Sequence, residues 1–368
     1  MSVNNGIIGL AKSGRTTIFN ALTKGKADTG SFTQQGLAPH IGIAKIPEPR
    51  LKVLDNMFHP KNLIPTEVTY IDIGASVKEL ARDTAISGQL LTQLSKVDAL
   101  INVARAFTDE SIPYVEGSLD IERDIATMNL ELAFSDLAII ERRVEKIGIS
   151  LKGAKQPERQ SLLHEQEVLT RFKTSLEKDV PIRELSLTPE ETKLIANFQL
   201  LTAKPVLIAA NIGEDQLPGA EALETELNSR HSRPNCRAIT LCGKLEMELA
   251  QLDNDAAEEL RTEFGLRESG ANRIIKSSYE LLGLVSFFTI ASSEIKVWSI
   301  PAGTSAHKAA GKIHSDMERG FIRAEVISYD DLVKCGNQAE ARKKGLIRLE
   351  GKNYTIQDGD VITFLFNV

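Results

Sequence analysis

Five short apolar runs organise the chain: "GIIGL", "EVTYIDIG" and "DALINVARAF" in its first third, then "KPVLIAAN" and "CRAITLCG" after residue 203. Each is apolar on both faces, and helical patterns separate them. That combination predicts the buried parallel strands of an α/β sheet with helices on both sides.

Between the third and fourth runs the period lengthens. Leu130, Ala133, Leu137, Ile140, Val144 and Ile147 recur at alternating intervals of three and four, and Leu162, Leu169, Phe172 and Leu176 continue the pattern. These positions predict the seams of two paired helices. The connector "GISLKGAKQPE", with its glycines, proline and lysines, reads as the exposed tip of an antiparallel coiled-coil hairpin. A capping box at Thr188-Pro-Glu-Glu191 opens a further helix leading back to the sheet. The helical stretch, residues 126–204, is thus an insertion into an α/β domain formed by residues 1–125 and 205–284.

The last segment, residues 285–368, changes character again. Runs such as "EIKVWSI", "IRAEVIS" and "DVITFLFNV", one helical stretch near "SAHKAAGKIHSDMERG", and the turns "LEGKNY" and "QDGD" predict a small β-grasp-like module. Within it Trp298 reads as a packed strand residue, and His307 and His314 as solvated helix positions.

Composition narrows the function classes. With 368 residues, 42% hydrophobic and 26% charged, and a formal net charge of -6, the chain suits a soluble multidomain protein with no global demand for nucleic acid. Cys236, Cys242 and Cys335 form no CxxC pair and have no histidines at metal-ligand spacing, so reduced thiols are expected. No apolar stretch approaches the roughly 20 residues that span a bilayer, and a signal core is absent. A cytoplasmic protein without a membrane partner is expected.

The chemistry concentrates in "GLAKSGRTT", Gly9 to Thr17, which follows an apolar strand and precedes a helical pattern. Its spacing matches the phosphate-cradling G-x-x-x-x-G-K-[ST] loop except that Arg15 stands at the lysine position. In such a loop backbone N–H groups and a helix N-terminus surround phosphates, an ammonium lies against them, and a hydroxyl holds Mg²⁺. Gly9, Ser13, Gly14, Thr16 and Thr17 fit that scheme. Arg15 keeps the charge but not the compact shape, and Lys12 is placed to supply an ammonium. A second cluster, Asn211-Ile212-Gly213-Glu214, ends a strand at the edge where open α/β sheets bind their ligands. Its asparagine and carboxylate suit a purine edge; the same residues also suit a turn or cap.

With these pieces in order, the chain resembles the YchF family of Obg-like ATPases. The likeness rests on "GRTTIFNALTKG", "PEPRLKVL", "DALINVARAF", "DIATMNLELAFSDLAIIERR", "KPVLIAANIGED", "ELAQLDNDAAEEL", "GANRIIKSSYELLGLVSFFT", "HSDMERGFIRAEVISYDDL" and "RLEGKNYTIQDGDVITFLFNV". It covers essentially the whole length. The resemblance implies a Ras-like P-loop domain, an inserted coiled-coil domain and a C-terminal TGS domain. It implies ATP rather than GTP, because Asn211 and Glu214 match the family's N-x-x-E in place of the guanine-selecting N-K-x-D, with GTP as the alternative nucleotide. It also places Mg²⁺ at Thr16 and Asp72, the latter opening the D-x-x-G motif.

Several catalytic positions depart from the family pattern together. Arg15 replaces the loop lysine; Asp72-Ile-Gly-Ala75 carries its glycine one position early and continues as "SVKELARDTAISGQ". Gly36 aligns with the switch I threonine, and Tyr114 with a histidine proposed to assist hydrolysis. A phenol is a poor proton acceptor at neutral pH, and phosphoryl transfer depends on positioning and charge stabilisation. The expectation is therefore an ATP-binding protein with slow or impaired hydrolysis. The alternative is a pseudo-ATPase scaffold that binds ribosome or RNA independently of nucleotide. Ribosome contact, through the basic stretches "EARKKGLIR" and "LKGAKQPER", is implied by the resemblance, and a monomer is expected.

Overall fold

The computed structural model describes residues 3–25, 27, 39–73, 92–114, 117–231, 233–291 and 293–367. Contacts divide the chain into two units, one made of residues 3–44 and 69–281, the other of 45–68 and 282–368 together with the chain start.

In the larger unit the apolar runs become strands β1 (Val3–Ile8), β4 (Glu67–Asp72), β5 (Ala99–Arg105), β6 (Val206–Asn211) and β7 (Cys236–Leu241). With β2 (His40–Lys45) they form one sheet in the order β2-β4-β1-β5-β6-β7. The ladders β1/β5, β5/β6 and β6/β7 are parallel, and every residue of β5 and β6 is buried. Burial on both faces explains why these strands read as continuous apolar runs. Helix α1 (Arg15–Thr23) leaves the carboxyl end of β1, where ligands of such sheets gather.

The inserted hairpin consists of a helix spanning Ile121–Ser150 and one spanning Glu158–Leu176. The first serves two cores from different faces. Ile125, Met128 and Leu132, spaced by three and four, pack with Leu100 and Ile208 of the sheet. Ala133, Ile140 and Ile147 pack with Val168, Leu169, Phe172 and Leu176 of the return helix. Leu130 belongs to neither and is 42% exposed, so the hairpin seam begins one step later than the periodicity predicts. The reason is that the sheet claims this helix's apolar face up to Leu132. The capping box at Thr188 forms as expected: its hydroxyl accepts from Glu191 N–H, and the Glu191 carboxylate accepts from Thr188 N–H.

One buried carboxylate ties this helix to the chain that re-enters the sheet. Asp136 is fully buried and accepts Leu201 N–H (2.9 Å), Thr202 N–H (2.7 Å) and the Thr202 hydroxyl (2.6 Å). Burial pushes its pKa up to about 6 from 3.8, against the pull of these donors. The folded state therefore holds a proton that the unfolded chain releases. Stability from this group is full below about pH 4 and is lost as pH rises through about 6, by up to ~3 kcal/mol. Urea titrations between pH 4.5 and 7.5 are expected to show that falling slope in the wild type and a flatter one in Asp136→Asn.

The smaller unit holds a sheet in the order β11-β10-β12-β8-β9-β3, built from β8 (Leu284–Ile290), β9 (Glu294–Pro301), β10 (Phe321–Ser328), β11 (Arg348–Glu350), β12 (Asp360–Phe366) and β3 (Asn62–Ile64). A parallel β12/β8 pair lies between the antiparallel β8/β9 and β10/β12 pairs, and the helix Ala306–Ile313 packs on one face. This is the β-grasp arrangement. Trp298 packs at the margin of that core, its indole donating to the Thr289 hydroxyl at 2.9 Å. Residues 45–68 join from far away in sequence. Their helix α2 (Pro49–Phe58) buries Leu54 against Phe288, Ile295 and Val297, and Arg50 bridges Glu48 and Asp358.

Candidate functional site

The turn between β1 and α1 has the backbone that a phosphate cradle needs. Gly9 (φ 149°), Lys12 (φ 64°) and Gly14 (φ 92°) lie in the left-handed half of backbone space, which turns successive N–H groups inward. A methyl at Gly9 would stand 2.4 Å from the Val103 carbonyl, and one at Gly14 would stand 2.2 Å from the Asn211 amide nitrogen. Ile18 N–H already bonds back to Gly14 (3.0 Å), so the helix starts directly behind the turn.

Asn211 closes this turn from β6. Its amide Nδ2 donates to the Ser13 carbonyl (2.9 Å), and its Oδ1 accepts from Gly243 N–H (2.9 Å). Being 4% exposed, it ties the loop to the β7 exit from within. Ile212 turns its side chain into an apolar cluster with Ala106, Cys242 and Leu245, and its N–H bonds Leu241, which leaves its carbonyl as the polar group it can offer. Glu214 reaches the Lys244 ammonium at 3.2 Å and raises the lysine's pKa. Gly243 and Lys244 are residues that sequence reasoning missed. The available signal was their place just past the β7 strand, beside the strand that carries Asn211.

At the other side of the loop, the Thr16 hydroxyl donates to Asp72 Oδ2 at 2.7 Å. Asp72 is 1% exposed at the end of β4, and its second oxygen, Oδ1, is buried with no hydrogen-bond partner among the described residues. His40 Nδ1 lies 3.5 Å from Oδ2. Burying a carboxylate oxygen without a partner costs free energy unless a cation or donor arrives. Thr16 and Asp72 therefore fit Mg²⁺, which takes one or two protein oxygens and fills its octahedron with water and phosphate.

Arg15 is buried and directs Nη1 to the Ile73 carbonyl (2.8 Å), so the guanidinium is anchored at the end of β4 beside Asp72 in sequence. Lys12 is exposed at the top of the turn, Ser13 is buried, and Thr17 is half-buried in the first helical turn. Tyr114 and the loop line one small cavity, of about 20 Å³, together with Leu10, Ala11, Ser13 and Arg105. Arg105 organises that flank: its guanidinium lies 4.5 Å from the Phe107 ring centre and 4.4 Å from that of Tyr114, and it donates to the Phe107 and Ile112 carbonyls. Gly36, Ala75 and "SVKELARDTAISGQ" lie outside the described residues.

With this geometry in place, comparison with known proteins gives consistent results. A family model, YchF-GTPase_C, described as a protein of unknown function (DUF933), matches residues 284–367. The chain is 38% identical over 370 residues to the ribosome-binding ATPase YchF of Bacillus subtilis, with all of both chains covered. It is 35% identical over 368 residues to the protein of the same name from Escherichia coli O157:H7, again with full coverage of both. Among solved structures it is similar to the Schizosaccharomyces pombe YchF GTPase, with a TM-score of 0.83 and 27% identity, covering 99% of this chain and 98% of that one.

Proposed function

Because the chain belongs to the YchF family, we propose that it is a ribosome-associated, cytoplasmic P-loop protein that binds ATP with Mg²⁺ and hydrolyses it slowly. The nucleotide sits on the Gly9–Thr17 turn, and its base lies toward Asn211 and Glu214. The observation that carries this reading is the pairing of a left-handed glycine turn with a buried, half-satisfied carboxylate, Asp72, already bonded to Thr16.

The roles follow from where the side chains lie. Backbone N–H groups from Gly14 to Thr16 at the start of helix α1 cradle phosphate, the Ser13 N–H being given to the Leu10 carbonyl at 3.3 Å. Lys12, exposed at the turn, is placed to swing onto the phosphates, while Arg15 is held by the Ile73 carbonyl and acts as a fixed positive charge. Thr16 and Asp72 hold the metal, whose contribution when bound is to neutralise phosphate charge. Glu214 carries its carboxylate one methylene beyond the aspartate of guanine-selecting motifs and leans on Lys244, which favours ATP over GTP. Tyr114, at the position of the family's histidine, is a phenol stacked on Arg105 and a poor proton acceptor, and the imidazole near the loop, His40, lies against Asp72 instead. Positioning alone then sets the rate, and turnover is slow.

Among the described residues no helix is long and apolar enough to cross a membrane. The basic stretches 151–159 at the hairpin tip and 340–348 in the β-grasp unit are exposed along most of their length, as ribosomal contacts require.

Calorimetric titration tests the core of the proposal. ATP with Mg²⁺ is expected to bind in the micromolar range, GTP at least ~10-fold more weakly, and Asp72→Asn to lose the Mg²⁺-dependent part of the affinity. Absence of heat with either nucleotide at millimolar concentration would instead establish the scaffold reading, which the anchoring of Arg15 on a backbone carbonyl favours.

A further inference from the structure

Strand β5 contains one residue that its surroundings do not explain. Leu100 and Ala104 point into an apolar cluster with Ile125, Val206 and Ile208, and Asn102 lies between them at the same pleat. It is 3% exposed and makes no side-chain hydrogen bond to a described residue, facing instead the open space beside it. Its amide borders a cavity of about 240 Å³ that it shares with Asn129, Arg183, His231, Arg233 and Cys236.

Arg183 occupies the same cavity and is 6% exposed. Nη2 donates to Asn129 Oδ1 at 2.8 Å and Nη1 to the Thr202 carbonyl at 3.4 Å, while Nε is buried without a partner. No carboxylate of the described residues lies within ion-pair distance of it. Burial pushes its pKa down, the direction expected of a poorly compensated charge, although a guanidinium stays protonated. A buried cation of this kind is normally matched by an anion. Asn129, its oxygen taken by Arg183, presents its amide nitrogen as a further donor.

Around Arg183 and Asn102 the cavity therefore offers donors and a positive charge, while the carboxylates that line it, Glu184 and Asp179, make no ion pair with Arg183, Glu184 being paired with Arg233. We propose that it binds a small oxyanion, a phosphate or a carboxylate, seated between Arg183 and Asn102. The guanidinium edge matches either group geometrically. The outer residues set the size limit. Arg233 is paired with Glu184 (3.3 Å) and His231 with Glu122 (2.9 Å), and Asp179 is exposed at the margin. That mixed rim gives a polyanion no continuous positive surface, so the ligand is a small metabolite or inorganic ion rather than nucleic acid or a nucleotide.

The site is distinct from the phosphate loop. The loop follows the carboxyl end of β1, whereas this cavity is lined by Val206 and Cys236, the first residues of β6 and β7, which run parallel to it through the sheet. It also borders the turn Ile182–Glu184, which follows the return helix within the insertion, so occupancy would brace the packing of the insertion against β6 and β7.

Thermal unfolding of the full chain in phosphate, malonate or chloride at equal ionic strength tests the proposal. Phosphate or malonate is expected to raise the melting temperature by roughly 2–6 °C at concentrations about 100 times its dissociation constant. The rise should fall below about 1 °C in Asn102→Leu and in Arg183→Gln. Asn102→Leu places an apolar side chain beside open space, so it keeps the test valid where Arg183→Gln does not fold. A rise with phosphate alone assigns a phosphorylated ligand, and one with malonate alone a carboxylate. No rise in the wild type, or an equal rise in wild type and Asn102→Leu, overturns the proposal.

Discussion

Gly14→Ala is expected to weaken ATP binding at least ~100-fold and to destabilise the larger unit by about 3–8 kcal/mol. Two costs add. Alanine at φ 92° is strained by roughly 1–2 kcal/mol. Its methyl would also meet the Asn211 nitrogen at 2.2 Å, so Asn211 must move and release both Ser13 and Gly243. A buried donor and a buried acceptor are then unsatisfied, at about 1–3 kcal/mol each. The cradle loses its shape together with its closure, and affinity should fall by at least ~100-fold, or about 2.7 kcal/mol. Calorimetry and urea denaturation of the same preparation read both effects. Wild-type affinity in a folded Gly14→Ala protein would mean that nucleotide binds elsewhere or not at this turn.

Much of this architecture was legible because burial on both faces leaves an unambiguous trace. Strands β5 and β6 stand out as largely apolar runs, and the turn Gly9–Thr17 stands out because Gly9 and Gly14 occupy backbone that a side chain would strain. Less of the rest was local. The helix Ile121–Ser150 carries two apolar faces that merge into one periodic pattern, so Leu130 read as a seam residue and is exposed instead. Residues 45–68 pair with β9 across more than two hundred positions, and an amphipathic helix says that one face is buried without saying against what.

The same limit applies at the site. Spacing singled out Thr16, Asp72 and Asn211 as candidates, but the direction of Arg15 depends on the Ile73 carbonyl, which is 58 residues away. Lys244 becomes relevant only once β7 is known to lie beside β6. Asn102 was the one polar residue of an otherwise buried strand face, a signal present in "DALINVARAF" that has no meaning until the cavity beside it is seen.

Asn211→Ala carries the second large effect, and it separates two roles that the geometry joins. The side chain's Oδ1 and one Nδ2 hydrogen are committed to Gly243 and Ser13, which makes Asn211 a clasp on the loop before it is a reader of the base. Truncation leaves the Gly243 N–H and the Ser13 carbonyl without partners, and a stability loss of about 2–4 kcal/mol should appear in urea denaturation. Nucleotide affinity should drop by roughly 10–100-fold, or about 1.4–2.7 kcal/mol. If the clasp dominates, ATP and inorganic triphosphate lose affinity in the same proportion, because both rest on the loosened cradle. If base reading dominates, ATP weakens and triphosphate does not. The two hydrogen bonds to backbone groups favour the first outcome: a buried amide that holds a strained turn acts on every ligand of that turn, whatever base the ligand carries.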